Sequence, residues 1–126
     1  MTVVFAVAAG GALGALGRYL VLSWLGHRLG FGFPFGTIAV NVLGSFLAGL
    51  LLALTATLWP APLEVRLFLG VGVLGAFTTF STFAMDTAYL AGQHRPVAAA
   101  IYVLASIALS LAGAFAGYHL VYAALA

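Results

Sequence analysis

The chain has 126 residues, 65% of them hydrophobic and 5% charged, with a mean hydropathy of +1.24. A water-soluble domain carries about 25% charged residues to wet its surface, so four basic and two acidic side chains leave an exterior suited to lipid and exclude an ordinary soluble enzyme. The net charge of +2 comes from Arg18, Arg28, Arg66 and Arg95 against Glu64 and Asp86, too scattered for a nucleic-acid-binding face, and zero cysteines exclude disulfides, thiolate metal sites and a cysteine nucleophile.

Four apolar stretches, residues 3–25, 35–58, 67–91 and 97–126, are each long enough to cross a hydrocarbon core of about 30 Å as a helix. The expectation is a single all-α membrane domain over residues 1–126, with short loops at 26–34, 59–66 and 92–96. The first stretch lacks a basic leader and is longer than a signal-peptide core, so it reads as a retained span. His27, His94 and His119 are too far apart for a local metal motif and suit loops or membrane interfaces. Four spans put both termini on one side. Arg28 and Arg95, with Arg18, then oppose Arg66 and the terminal amine, a weak bias that favours the Arg28 and Arg95 loops in the cytoplasm and is compatible with insertion both ways.

In the first span, Gly10, Gly14 and Gly17 make a small-residue face for close helix approach. Arg18 either snorkels to the headgroups or draws anions into a vestibule. In the second span, Asn41, Ser45 and Gly49 follow at i, i+4 and i+8, with Thr37 one turn earlier, so they share a face. The Asn41 amide sits about 9 Å inside the span. It either makes an interhelical hydrogen bond or aims an N–H donor into a water-filled path.

The third span carries Gly70, Gly72 and Gly75, then Phe77-Thr-Thr-Phe-Ser-Thr-Phe83. Glycines loosen the backbone, and the hydroxyls of Thr78, Thr79, Ser81 and Thr82 can satisfy freed carbonyls, so a mid-membrane break and an ion site are expected here. Phe77, Phe80 and Phe83 are either core or, presented edge-on, contacts for a small hard anion. Asp86 is either paired across the bundle or near the headgroups, and no role is assigned to it. In the fourth span, Tyr102, Ser106 and Ser110 form one hydroxyl stripe, Gly113 and Gly117 a second close-approach face, and Tyr118, His119 and Tyr122 suit the interfacial belt. Three polar files made of neutral donors favour an anion.

Two of these motifs, Phe-Gly-Thr-x-x-x-Asn-x-x-Gly-Ser-Phe in span two and Gly-x-x-Gly-x-x-Thr-Thr-Phe-Ser-Thr-Phe in span three (counted from Gly72), are similar to those of the bacterial Fluc/CrcB fluoride channels, and the resemblance covers nearly the whole chain. It implies an antiparallel, dual-topology homodimer in the bacterial plasma (inner) membrane, exporting fluoride down its electrochemical gradient, with two pores built from both subunits. It implies a structural sodium ion on the dimer axis, held by the backbone carbonyls of Gly75 and Thr78. Asn41, Phe80 and Phe83 would line the pore, Thr37, Tyr102, Ser106 and Ser110 the fluoride track, and Arg18 the vestibule. Many members carry glutamate where this chain has Asp86. The competing reading is a small four-span proton-coupled multidrug transporter, which needs a titratable carboxylate in an early span; spans one and two have none. A membrane subunit that only packs against partners would explain the glycines but not the polar files. No nucleotide-binding motif is present, and neither ATP nor covalent chemistry is required.

Overall fold

The computed structural model describes all residues, Met1–Ala126, and is entirely helical. The helices are α1 (Thr2–Leu29), α2 (Phe35–Thr57), α3 (Leu63–Leu67), a π-helical segment (Phe68–Leu74), α4 (Gly75–Phe77), α5 (Phe80–Gly92) and α6 (Pro96–Leu125). Four units, Thr2–Leu29, Phe35–Thr57, Leu63–Gly92 and Pro96–Leu125, are long and apolar enough to cross a membrane. The chain is a multi-pass membrane protein.

The boundaries follow local chemistry. Helix α1 runs past Leu25 through His27 and Arg28, because no proline intervenes before Pro34 and these polar side chains lie at the helix end where headgroups accept them. His27 Nδ1 lies 2.7 Å from the Ser23 carbonyl oxygen, and the Arg28 guanidinium sits 5.8 Å from the Trp24 ring centroid. The helix stops at Gly30, whose φ of +85° no L side chain adopts easily, while its N–H still donates to the Gly26 carbonyl. Helix α6 begins with Pro96, whose missing N–H costs nothing in a first turn.

Packing depends on missing side chains. A Cβ on Gly10 would strike the Phe68 carbonyl, and one on Gly14 the Val73 carbonyl, so the first glycine face of α1 seats the π-helical segment at backbone distance. Helices α2 and α6 close in the same manner, with Gly49 against Ala114 and Gly117 against Phe46. Only 17 residues are buried, while leucines, valines and aromatics of every span remain exposed. Such an outside is stable in hydrocarbon and not in water. Tyr102, Leu90 and Val40 are the largest fully enclosed side chains, and Tyr102 and Leu90 lie together where α5 meets α6.

Candidate ion pathway

The pathway region is organised by two extended residues between helices. Thr78 (φ −80°, ψ 158°) and Thr79 (φ −154°, ψ 115°) separate α4 from α5. The Thr78 N–H and its hydroxyl both donate to the Leu74 carbonyl at 3.0 Å, which closes the upstream helix. The Thr79 N–H turns away and donates to Asn41 Oδ1 at 2.7 Å, and Asn41 Nδ2 returns a bond to the Thr79 carbonyl at 3.0 Å. The Gly75 carbonyl therefore loses its usual i+4 donor. Downstream, Thr79 Oγ1 caps the new helix by accepting the Thr82 N–H at 3.1 Å. Gly44 makes room for Thr78, whose Cγ2 occupies the place of the absent Cβ.

Two cavities flank this junction. The first, about 560 Å³, is lined by Arg18, Tyr19, Ser23, Thr37, Thr82 and Asp86 and is roofed by the Gly30–Phe35 connection. The second, about 330 Å³, is lined by Asn41, Ser45, Thr78, Thr79, Phe80, Phe83, Ser106 and Ser110. Asn41, Phe80, Phe83, Ser106 and Ser110 thus meet on one surface, whereas Thr37 and Arg18 belong to the other. Gly75 lines neither. Tyr102 lines neither cavity but contacts a lining residue of each: its hydroxyl donates to Asp86 Oδ2 at 2.9 Å, and its ring centroid is 5.5 Å from that of Phe83.

Asp86, which the sequence left unassigned, lines the first cavity. It accepts a second hydroxyl, from Thr37 at 2.7 Å, on the same Oδ2. It is thus bonded across the bundle, to α2 and α6. Its only signal in the sequence is that it is the one carboxylate within the apolar stretch of residues 67–91. Arg18 Nη1 donates to the Thr78 carbonyl at 3.3 Å, so this cation reaches the junction from the first cavity. In the second cavity Ser106 Oγ is buried without a hydrogen-bond partner, and Asn41 Nδ2 retains a second proton beyond the one given to Thr79. Buried donors without acceptors are costly and suit an anion. The hydroxyl protons of Thr37 and Tyr102, by contrast, are engaged by Asp86.

Over residues 5–118 the chain matches the sequence profile of the family described as CrcB-like protein, Camphor Resistance (CrcB). The chain belongs to the CrcB family. It is 54% identical over 127 residues to the fluoride-specific ion channel FluC of Rhodospirillum centenum, covering 100% of both chains. It is 47% identical over 120 residues to FluC 1 of Nitrobacter hamburgensis, covering 95% of each, and 50% identical over 114 residues to FluC of Agrobacterium fabrum, covering 90% of this chain and 91% of that one. The CrcB match reaches into all four apolar units and includes every residue that lines the two cavities.

Proposed function

We propose that this protein is a fluoride-selective ion channel, which lets fluoride leave the bacterial cytoplasm down its electrochemical gradient and so lowers fluoride toxicity. The observation that carries this reading is family membership along the whole chain, with relatives named as fluoride-specific channels. The geometry supplies a physical route. Fluoride is small, strongly hydrated and a strong acceptor, so a pore must replace its water with donors. The Ser106 hydroxyl, the free Asn41 proton and the positive edges of Phe80 and Phe83 do this with no fixed cation that would trap the ion. Arg18 at the first cavity raises the local anion concentration against the repulsion of Asp86. Thr37 and Tyr102 can offer their protons to fluoride only by releasing Asp86. The protein does not act as an enzyme, and the four-span drug/proton antiporter gains no support from the relatives or from α1 and α2, which lack carboxylates.

The working unit is an antiparallel homodimer in the bacterial inner membrane. Phe80 lines the second cavity and is 80% exposed, so in one chain this passage is a surface groove that a second copy would close. The near-balanced arginine distribution fits insertion both ways. A structural sodium ion fits at the junction: the Gly75 carbonyl lacks its helical donor, and the Thr78 carbonyl accepts only a long bond from Arg18. Neutral carbonyl oxygens are the donor type that sodium prefers. When bound, the ion would neutralise converging carbonyl dipoles; this chain's own residues hold the junction open through the Asn41 pairing.

Fluoride efflux from liposomes containing the purified protein tests the function, and efflux no faster than from empty vesicles with folded protein and sodium present rejects it. Because the chain has no cysteine, single cysteines at Glu64 and His94 report topology cleanly. Two-sided labelling at each position supports dual insertion; one-sided labelling excludes it.

A further inference from the structure

The connection between α1 and α2 holds the least expected contact to the pathway. Phe33 lies outside both apolar units, yet its ring meets Tyr102 edge-on, with centroids 5.8 Å apart and planes at 89°. Tyr102 is fully enclosed and contacts Phe83 on another side at 5.5 Å; Phe83 in turn lies 5.3 Å from Phe80. Four rings thus run unbroken from the loop to the second cavity.

Phe33 is fixed on both sides. Upstream, Arg95 from the α5–α6 turn reaches across to donate to the Gly32 carbonyl at 2.5 Å. Downstream, the Phe35 N–H donates to the Phe33 carbonyl at 2.9 Å around Pro34 at φ −81° and ψ 61°, an inverse γ-turn that proline pre-sets. The Phe35 ring adds a tilted contact at 4.8 Å. A loop needing only to join two helices requires neither the strap nor the turn.

We propose that Phe33, strapped through Gly32 by Arg95, is a positioning residue for the pore: it backs Tyr102, and Tyr102 sets the attitude of Phe83 toward the ion. Phe33 borders the first cavity and lies outside the second, where the pore rings are. It acts by limiting how far the Tyr102 ring can recede from Phe83 while the Tyr102 hydroxyl remains on Asp86. The proposal rests on the channel reading and adds a determinant of rate and selectivity outside the spans.

The test reconstitutes full-length wild type, Phe33→Leu, Phe33→Tyr and Arg95→Gln in liposomes, and reads fluoride efflux, fluoride-over-chloride selectivity and thermal stability in detergent. Phe33→Leu should lower fluoride efflux about 2- to 13-fold, the range that one lost edge-to-face ring pair represents, and reduce selectivity, while the protein still folds. Phe33→Tyr should restore both, and Arg95→Gln should fall between. Wild-type efflux and selectivity in Phe33→Leu overturn the proposal, as does a loss that Phe33→Tyr fails to rescue. If Phe33→Leu does not fold, wild-type efflux and selectivity in Arg95→Gln overturn it. A wild-type protein that passes no fluoride overturns the channel reading and this proposal together, whereas a conducting wild type with an equally conducting Phe33→Leu overturns only this one.

Discussion

Asn41 and Thr79 exchange two hydrogen bonds, the Asn41 carboxamide matching both backbone groups of Thr79 as a neighbouring strand would. The side chain of one span thereby substitutes for the helical partner that Thr79 gives up in another.

Asn41→Asp should abolish fluoride flux. A carboxylate can still accept the Thr79 N–H, but it loses the Nδ2 donor, faces the Thr79 carbonyl with like polarity and places an anion beside the second cavity. Removing a buried donor in this way costs about 1–3 kcal/mol. Efflux from liposomes together with thermal unfolding checks both effects; measurable flux in the aspartate variant contradicts the assignment.

Phe80→Ile and Phe83→Ile should both impair flux while separating in stability. Phe80 loses one ring contact, with Phe83 at 5.3 Å, worth about 0.5–1.5 kcal/mol. Phe83 loses that contact and a second one with Tyr102, so its replacement should cost more. Normal flux in either variant removes that ring from the pathway.

Asp86→Ala should be less stable than Asp86→Asn. Alanine strands the hydroxyls of Thr37 and Tyr102, each at a cost of about 1–3 kcal/mol, whereas the asparagine oxygen can still accept from both. Equal unfolding midpoints for the two variants would show that the hydroxyl pair finds other acceptors.

Gly10→Ala and Gly11→Ala, adjacent in sequence, should behave oppositely. An added Cβ at Gly10 meets the Phe68 carbonyl, and overpacking of this kind costs about 1–3 kcal/mol. At Gly11 it meets nothing within 4 Å, and the better helix propensity of alanine contributes up to about 1 kcal/mol of stability. Unfolding in detergent distinguishes them directly.

The helices were legible in the sequence because a span must be long, apolar and nearly charge-free, a signal that needs no knowledge of neighbours. Gly10 and Gly14 were equally readable as close-approach positions, since small residues spaced by four leave little else to do in lipid. Partners were not readable. Asn41 finds Thr79 38 residues on, and Arg18 finds Thr78 60 residues on, distances across which local pattern carries no information. Asp86 stayed unassigned for the same reason: its two donors come from α2 and α6. Phe33 looked like a loop residue because its significance depends on a ring in the last helix. The division of the polar residues between two cavities was also hidden, because Thr37 and Asn41 share a helix face yet line different cavities.

Helices α1 and α6 contain 28 and 30 residues, while α2 contains 23. At about 1.5 Å per residue the longer pair reach roughly 42–45 Å, well beyond a hydrocarbon slab of about 30 Å. They must lean, or extend their ends among the lipid headgroups. Since α1 bears the glycine seat for the π-helical segment and α6 bears Tyr102, any change in lean is passed to the junction and to the ring that contacts a lining residue of each cavity. Membrane thickness thereby becomes a mechanical input to this protein, one that lipid chain length can tune without altering a residue.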